Sequence, residues 1–352
     1  MTADGESRCG VVAVDAMGGD NAPAEVLKGA VEAHRRGADV VLVGDERVIT
    51  PILSEIDGTL RVVHANGAIS MHDHVTRSLL KEQSSLRTAA DLVMSGDAGA
   101  VVSAGNSAAI MAIGLSVFGR LPGIGRPAFG GTLPARNQGV FVLDIGANSS
   151  VKASNLIQFA VMGHAFVQLS SGISEPRIGL LSNGSEDSKG TQQVREANEA
   201  LRKLDINFIG NVEGNQVFEG GVDVVVCDGF AGNILLKGAE GVASEIFELL
   251  KSELSKDFVA RVAGAALMPV FSRIKRRVDY EEYGGVPVLG VNHVMVNCHG
   301  RSKAKAVTNA ILLAAQLARE RLPERIGREL REDELELGRR RRWARALHLK
   351  HD

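Results

Sequence analysis

The chain has 352 residues, 45% hydrophobic and 23% charged, with a formal net charge of -2. That length supplies a core for one large α/β domain or two smaller ones, and the near-neutral balance excludes a global electrostatic preference for nucleic acid. Three widely spaced cysteines, Cys9, Cys227 and Cys298, lack the CxxC or histidine spacing of a zinc site, and the opening "MTADGESRCG" lacks the basic and apolar regions of a secretion signal, so a reducing, cytoplasmic setting without disulfides or a structural metal is expected.

In chain order, the first element is the strand-like run "VVAV" at 11–14, followed by Asp15, the glycines Gly18 and Gly19, and a second carboxylate, Asp20. Two glycines directly after a buried strand let the backbone bend where side chains would clash. Further short β-rich runs end in small polar loops: "VVLVGD", "RVVHANG", "AVVSAGNS", "VFVLDIGAN", "IGLLSNGS", "FIGNVEG", "VDVVVCDGFAGN" and "VMVNCHG". Helix-length segments lie between most of them, at roughly 23–36, 86–96, 106–118, 154–171, 188–204, 232–256 and 302–322, the first opening with Pro23. Strand, loop and helix repeated in this way predict a parallel sheet covered on both faces. The uncharged stretches 98–119 and 153–174 approach the length of a membrane span, but the first breaks at "SAGNS" and the second carries Asn155, Gln158, His164 and Gln168, so both are expected as buried elements.

Polar residues gather at the carboxyl ends of these runs, where open α/β sheets bind ligands. Asp15, Ser103, Asn106, Asp144, Asn148, Asn183, Lys189, Asp228, Asn233 and His299 are therefore expected to line one cleft; taken singly, each Asp, Asn or Ser also reads as a helix N-cap. No run matches GxGxxG after a strand, GxxxxGK[ST] or GxSxG, which leaves dinucleotide, P-loop and acyl-serine chemistry without support. "DAMGGD", "SAGNSA" and "DGFAGN" are Gly-rich turns leading into helices, a build that suits phosphate held by backbone N–H groups. Lys189 stands near a helix start, where a cation is unfavourable unless it faces an anion. Cys227 and Cys298 read as buried apolar residues, and His72 and His74 lack the partners of a metal site.

Residues 250–284 have a different character. Leu267, Met268, Val270 and Phe271 surround Pro269 and are followed by Arg273, Lys275, Arg276 and Arg277. An apolar tip beside a basic cluster fits contact with an anionic membrane, and a dimer or core contact explains the same apolar residues. From 323 the chain is densely charged, and 339–352 holds six Arg or Lys against one Asp, a composition of a solvated or disordered tail.

Eight motifs in order, "VAVDAMGGDNAP", "VSAGNSAAIMA", "LDIGAN", "GLLSNGSEDSKG", "FIGNVEGN", "VVVCDGFAGNILLK", "YGGVPVLGVN" and "HGRS", resemble the phosphate acyltransferase (PlsX) family of bacterial phospholipid synthesis across about residues 10–318. The resemblance implies a doubly wound, three-layer α/β/α domain over 1–322 with a mostly parallel sheet, akin to phosphotransacetylases and isocitrate-dehydrogenase-like proteins, with a protruding helical excursion at about 250–278. It also implies a homodimer without metal or organic cofactor. The implied reaction is attack of inorganic phosphate on the thioester of acyl-[acyl carrier protein], at the inner membrane surface, giving acyl phosphate for a membrane glycerol 3-phosphate acyltransferase. Carried over by motif, Lys189 neutralises phosphate or the developing oxyanion, Asn233 donates a hydrogen bond to the same centre, and Asp228 or His299 moves a proton. Asp15, Gly18, Gly19, Asp20, Ser103, Asn106, Ser107, Asn148 and Ser302 form the phosphate and substrate walls. The Arg273–Arg277 cluster is expected at the acidic carrier or at lipid headgroups. The chain departs from the family at Ser107, where Thr is common, at Ser182-Asn183-Gly184, where an "NIG" run is common, and at Ser149-Ser150, where an acidic residue is usual after "GAN". A small-acyl phosphotransacetylase and a non-catalytic carrier-binding scaffold are the alternatives.

Overall fold

In the computed structural model, residues 10–76, 80, 82–136, 139–278 and 284–331 are described, with the backbone alone for 275–278. The first half alternates β1 (Val11–Asp15), α1 (Ala24–Arg35), β2 (Asp39–Gly44), α2 (Glu46–Glu55), β3 (Arg61–His64), α3 (Ser85–Met94), β4 (Ala100–Ser103) and α4 (Ser107–Ile113). Next come β5 (Ala128–Pro134), β6 (Gly139–Leu143), α5 (Ala153–Ser171), β7 (Ile178–Leu181), α6 (Gln192–Leu201), β8 (Phe208–Val212) and β9 (Val224–Val226). The chain then forms α7 (Gly229–Leu254), α8 (Phe258–Val278), β10 (Val286–Leu289), β11 (Val294–Asn297) and α9 (Ala304–Arg319).

The strands read as continuous apolar runs because both faces of the sheet are covered. Along β1, Val12 and Val14 enter one core with residues of α1, α5 and α9, while Ala13 enters a second core with residues of α3 and α4. These are the three layers expected. Both uncharged stretches are internal: the first is β4 turning into α4, the second is the buried helix α5, and no described helix is long and apolar enough to cross a membrane.

All eleven strands form one sheet, in the order β3-β2-β1-β4-β11-β10-β5-β6-β9-β7-β8. The block β3 to β11 is parallel throughout, and so is the block β6 to β8. Between them, β11–β10, β10–β5 and β5–β6 are antiparallel. Three successive reversals invert the second block relative to the first. The ten polar residues expected to line one cleft do so only in part: Asn233 and His299, one from each block, line it together. The joining strands are absent from the sequence-based expectation because Gly130, Gly131, Pro134 and Pro287 carry turn or edge signals.

The helical excursion starts earlier than expected. At 26 residues α7 is about 39 Å long, and with α8 it forms a hairpin that leaves Phe258 and Val259 73% and 76% exposed, with Leu267, Met268 and Val270 exposed as well. Phe271 is half-buried, and the side chains of Lys275, Arg276 and Arg277 lie outside the described residues. The expected tail also starts differently. Residues 322–331 are helical, and Leu322, Ile326 and Leu330 are buried in the core, so the boundary placed at 323 falls inside a packed helix; the basic run 339–352 lies outside the described residues.

Candidate active site

The glycines after β1 are explained by what lies beneath them. Asp15, 3% exposed, accepts hydrogen bonds from Ser103 Oγ at 2.7 Å and from the Met17 N–H at 3.2 Å, while Ser103 Oγ accepts from the Gly105 N–H at 3.0 Å. Burial pushes the Asp15 carboxyl up from its ordinary pKa, and these donors pull it back. A Cβ at Gly18 would stand 2.5 Å from Asp15 Oδ2, and Gly19 has φ +106°. Gly18 thus lies directly on a buried carboxylate–hydroxyl pair, Gly19 lies against Ala104 and Gly300, and Asp15 and Ser103 organise the turn from below.

The turn is then tied to the loop after β11. The Asp20 N–H donates to Gly300 O at 2.8 Å, and Asn21 Nδ2 donates to Arg301 O at 3.0 Å. In that loop His299 Nδ1 accepts from the Arg301 N–H at 3.2 Å, which places the neutral ring's proton on Nε2. Asn106 caps α4 through Ala108 and Ala109 N–H and donates to Met71 O and Asp73 O, so it stitches two loops together. Beside it, Ser107 Oγ accepts from Asn297 Nδ2 at 2.8 Å.

The second block repeats the device. Asp144 is fully buried, and its carboxylate accepts from the N–H groups of Gly146, Ala147 and Asn148 and from Asn148 Nδ2, at 2.8–3.0 Å. Burial raises its pKa while these donors oppose the shift. Helix α7 seats on this loop: a Cβ at Gly229 would lie 2.8 Å from Asn148 N, and one at Gly232 only 1.9 Å from Asp144 O. Asp228 caps α7 by accepting from the Ala231 N–H at 2.8 Å. Asn233 is thereby held beside Gly146.

From that seat α7 lies over the joining strands, and its exposed start meets the edge of the first block across a cleft of about 390 Å³. Phe129, Ile145, Val286 and Leu236 give the cleft an apolar floor, and Asp20, Ser107, Asn233, Lys237, His299 and Ser302 contribute polar groups around it. Five expected site residues therefore converge here: Asp20, Ser107, Asn233, His299 and Ser302. Asp15, Gly18, Gly19, Ser103 and Asn106 shape its loops without lining it, and Asn148 and Asp228 do the same at the other block. Lys189 is exposed on the loop after β7, outside the cleft lining. Lys237, Thr132 and Asn297 line the cleft without having been singled out from sequence. Lys237 follows "NILL" in a motif already noted, whereas Thr132 lies on the overlooked β5.

Cys227 and Cys298 are free and buried. Cys298 borders the cleft, but burial pushes its thiol up to about 12, which keeps it from acting as a thiolate. Among the described residues, no three His, Cys, Asp or Glu side chains converge as metal ligands.

The model of the "Fatty acid synthesis protein" family matches residues 11–325. A phosphate acyltransferase of Trichlorobacter lovleyi is 46% identical over 329 residues, covering 92% of this chain and 95% of that protein. One of Pelotomaculum thermopropionicum is 45% identical, covering 90% and 93%. Among solved structures, a phosphotransacetylase from Streptococcus pyogenes superposes with TM-score 0.61 at 17% identity, over 88% of this chain and 94% of the other. At that identity the likeness shows the fold, which is the phosphotransacetylase-like α/β/α fold expected. The chain belongs to the phosphate acyltransferase family of fatty acid synthesis proteins, and it is an acyltransferase.

Proposed function

We propose that the protein transfers a fatty acyl group from acyl-[acyl carrier protein] to inorganic phosphate. A phosphate oxygen attacks the thioester carbonyl carbon, the C–S bond breaks, and acyl phosphate and the carrier thiolate leave, the thiolate taking up a proton. The observation that carries this reading is the cleft itself, in which an apolar floor of Phe129, Ile145 and Val286 adjoins Ser107, Asn233, Lys237 and His299. An acyl chain fits the first surface, and an anion with a developing oxyanion fits the second.

Asn233 donates to the tetrahedral centre, and Lys237, whose Nζ is ion-paired with the cleft-lining Glu240 at 2.8 Å, is the cation on the cleft wall that turns to the incoming anion. His299, with its proton on Nε2, is suited to donate a hydrogen bond to the developing oxyanion or the leaving thiolate, and the attacking hydrogen phosphate supplies the proton the thiolate takes up. Lys189, exposed on its separate loop, meets the incoming phosphate or the acidic carrier. Removing Asn233 therefore lowers kcat by about 100-fold or more, whereas Lys189→Ala raises KM and leaves kcat close to wild type. Equal kcat losses from both would contradict this division of labour.

The exposed α7–α8 hairpin supports peripheral contact with the inner face of an anionic membrane and association as a homodimer. The acyl phosphate is then released where a membrane glycerol 3-phosphate acyltransferase consumes it. The phosphotransacetylase fold keeps small acyl-CoA donors as the second reading. Comparing acyl-carrier and acyl-CoA donors in one assay separates the two.

A further inference from the structure

One polar group in the cleft wall has an arrangement that folding alone does not explain. Asn297 ends β11 between Val296 and Cys298, is 6% exposed and lines the cleft. Its Nδ2 donates to Ser107 Oγ at 2.8 Å, while its Oδ1 is buried without a hydrogen-bond partner. An orphaned buried carbonyl destabilises the fold, and an apolar side chain at this strand end would remove that penalty.

The geometry is fixed from behind. Asn297 pairs with Ser103 in the β11–β4 register, and the Cys298 N–H donates to Ser103 O at 2.8 Å. Ser107 is exposed and also lines the cleft. A serine hydroxyl has one proton to give. When its oxygen accepts from the Asn297 amide, that proton is directed away from the amide and is available to a ligand in the cleft. The reversed amide would take the serine proton and present oxygen lone pairs to the cleft, an arrangement that repels an anion. The observed polarity suits an anionic guest.

We propose that Asn297 is a positioning residue that fixes the Ser107 hydroxyl as a hydrogen-bond donor to inorganic phosphate. The inference rests on the phosphate-accepting reading above and adds to it a buried residue that acts through Ser107.

The test is equilibrium binding of inorganic phosphate, by calorimetry or phosphorus NMR, to the wild type and to Ser107→Ala, Asn297→Ala, Asn297→Asp and the double alanine variant. Folding of each is checked by thermal unfolding. Ser107→Ala and Asn297→Ala are each expected to weaken phosphate binding by about tenfold, as befits a hydrogen bond to a charged group. The double variant is expected to bind no more weakly than Ser107→Ala alone, because both changes remove one interaction. Asn297→Asp, nearly isosteric and able to accept the serine proton, should bind phosphate more weakly than Asn297→Ala; it also serves if the alanine variant does not fold. Ser107→Thr keeps the hydroxyl and should retain binding. In turnover, KM for phosphate rises while KM for the acyl donor stays the same. Wild-type phosphate binding in Asn297→Ala or Asn297→Asp, or additive losses in the double variant, would overturn the inference alone. A wild type that binds no phosphate would overturn the inference and the proposed function together.

Discussion

The seating of α7 on the Asp144 loop places Asn233 in the cleft, and Gly232→Ala tests it. The added Cβ would lie 1.9 Å from Asp144 O and 2.9 Å from Cys227 Sγ. The first neighbour is backbone, pinned by the five donors on the Asp144 carboxylate, so the helix has to yield by roughly 1.5 Å to regain ordinary contact. Overpacking of this kind costs up to about 3 kcal/mol, against about 1 kcal/mol gained from replacing glycine by alanine in a helix, for a net loss of about 2 kcal/mol. A displacement of about 1 Å at a substrate-positioning group costs about 100-fold in turnover. Gly238 on the same helix is the control: an added Cβ there meets no atom of the chain within 4 Å, so Gly238→Ala should stabilise by up to about 1 kcal/mol. Urea unfolding at constant slope and phosphate-dependent turnover read both effects. Equal stabilisation by the two substitutions, with unchanged turnover, would refute the reasoning.

Three further outcomes follow from the geometry. Burial raises the folded-state pKa of Asp15 above its ordinary 3.8, so its contribution to stability is complete below about that pH and is lost as pH rises through the elevated value. The stability advantage of the wild type over Asp15→Asn should therefore shrink as the pH rises above about 4 in urea unfolding, and a widening advantage would contradict the assignment. With its thiol pushed up to about 12, Cys298 should resist iodoacetamide at neutral pH, and Cys298→Ala should retain turnover; inactivation by alkylation at this residue would show a reactive thiol instead. Replacing exposed Leu267 and half-buried Phe271 by aspartate should release the protein from anionic vesicles in flotation while leaving thermal unfolding unchanged. Undiminished vesicle binding would remove the hairpin from the membrane contact.

Where periodicity and turn chemistry agree, the fold is legible in the residues. "VVAVDAMGGD" announces a buried strand and a turn that side chains cannot occupy, and the Asp15–Ser103 pair beneath Gly18 is the physical cause. The joining strands are less legible, because "AFGGTLP" and "VPVL" contain the residues that usually interrupt strands. Without them the inversion of the second block has no sequence signal. The site was similarly half visible. His299 and Asn233 stand out because they sit in glycine-containing motifs, whereas Asn297 is hidden at the end of an apolar run and shows its role only through the hydroxyl it touches. Asp15, Asn106, Asn148 and Asp228 were recognisable as polar loop residues, but whether such a carboxylate or amide faces a ligand or its own backbone is decided by packing.

The central claim is tested most directly by measuring phosphate-dependent release of free carrier thiol from long-chain acyl-[acyl carrier protein], with acyl-CoA in parallel and the product identified by mass. The predicted result is turnover of the carrier thioester that requires phosphate and yields acyl phosphate. Folded protein that binds the carrier yet releases no thiol in the presence of phosphate would contradict it.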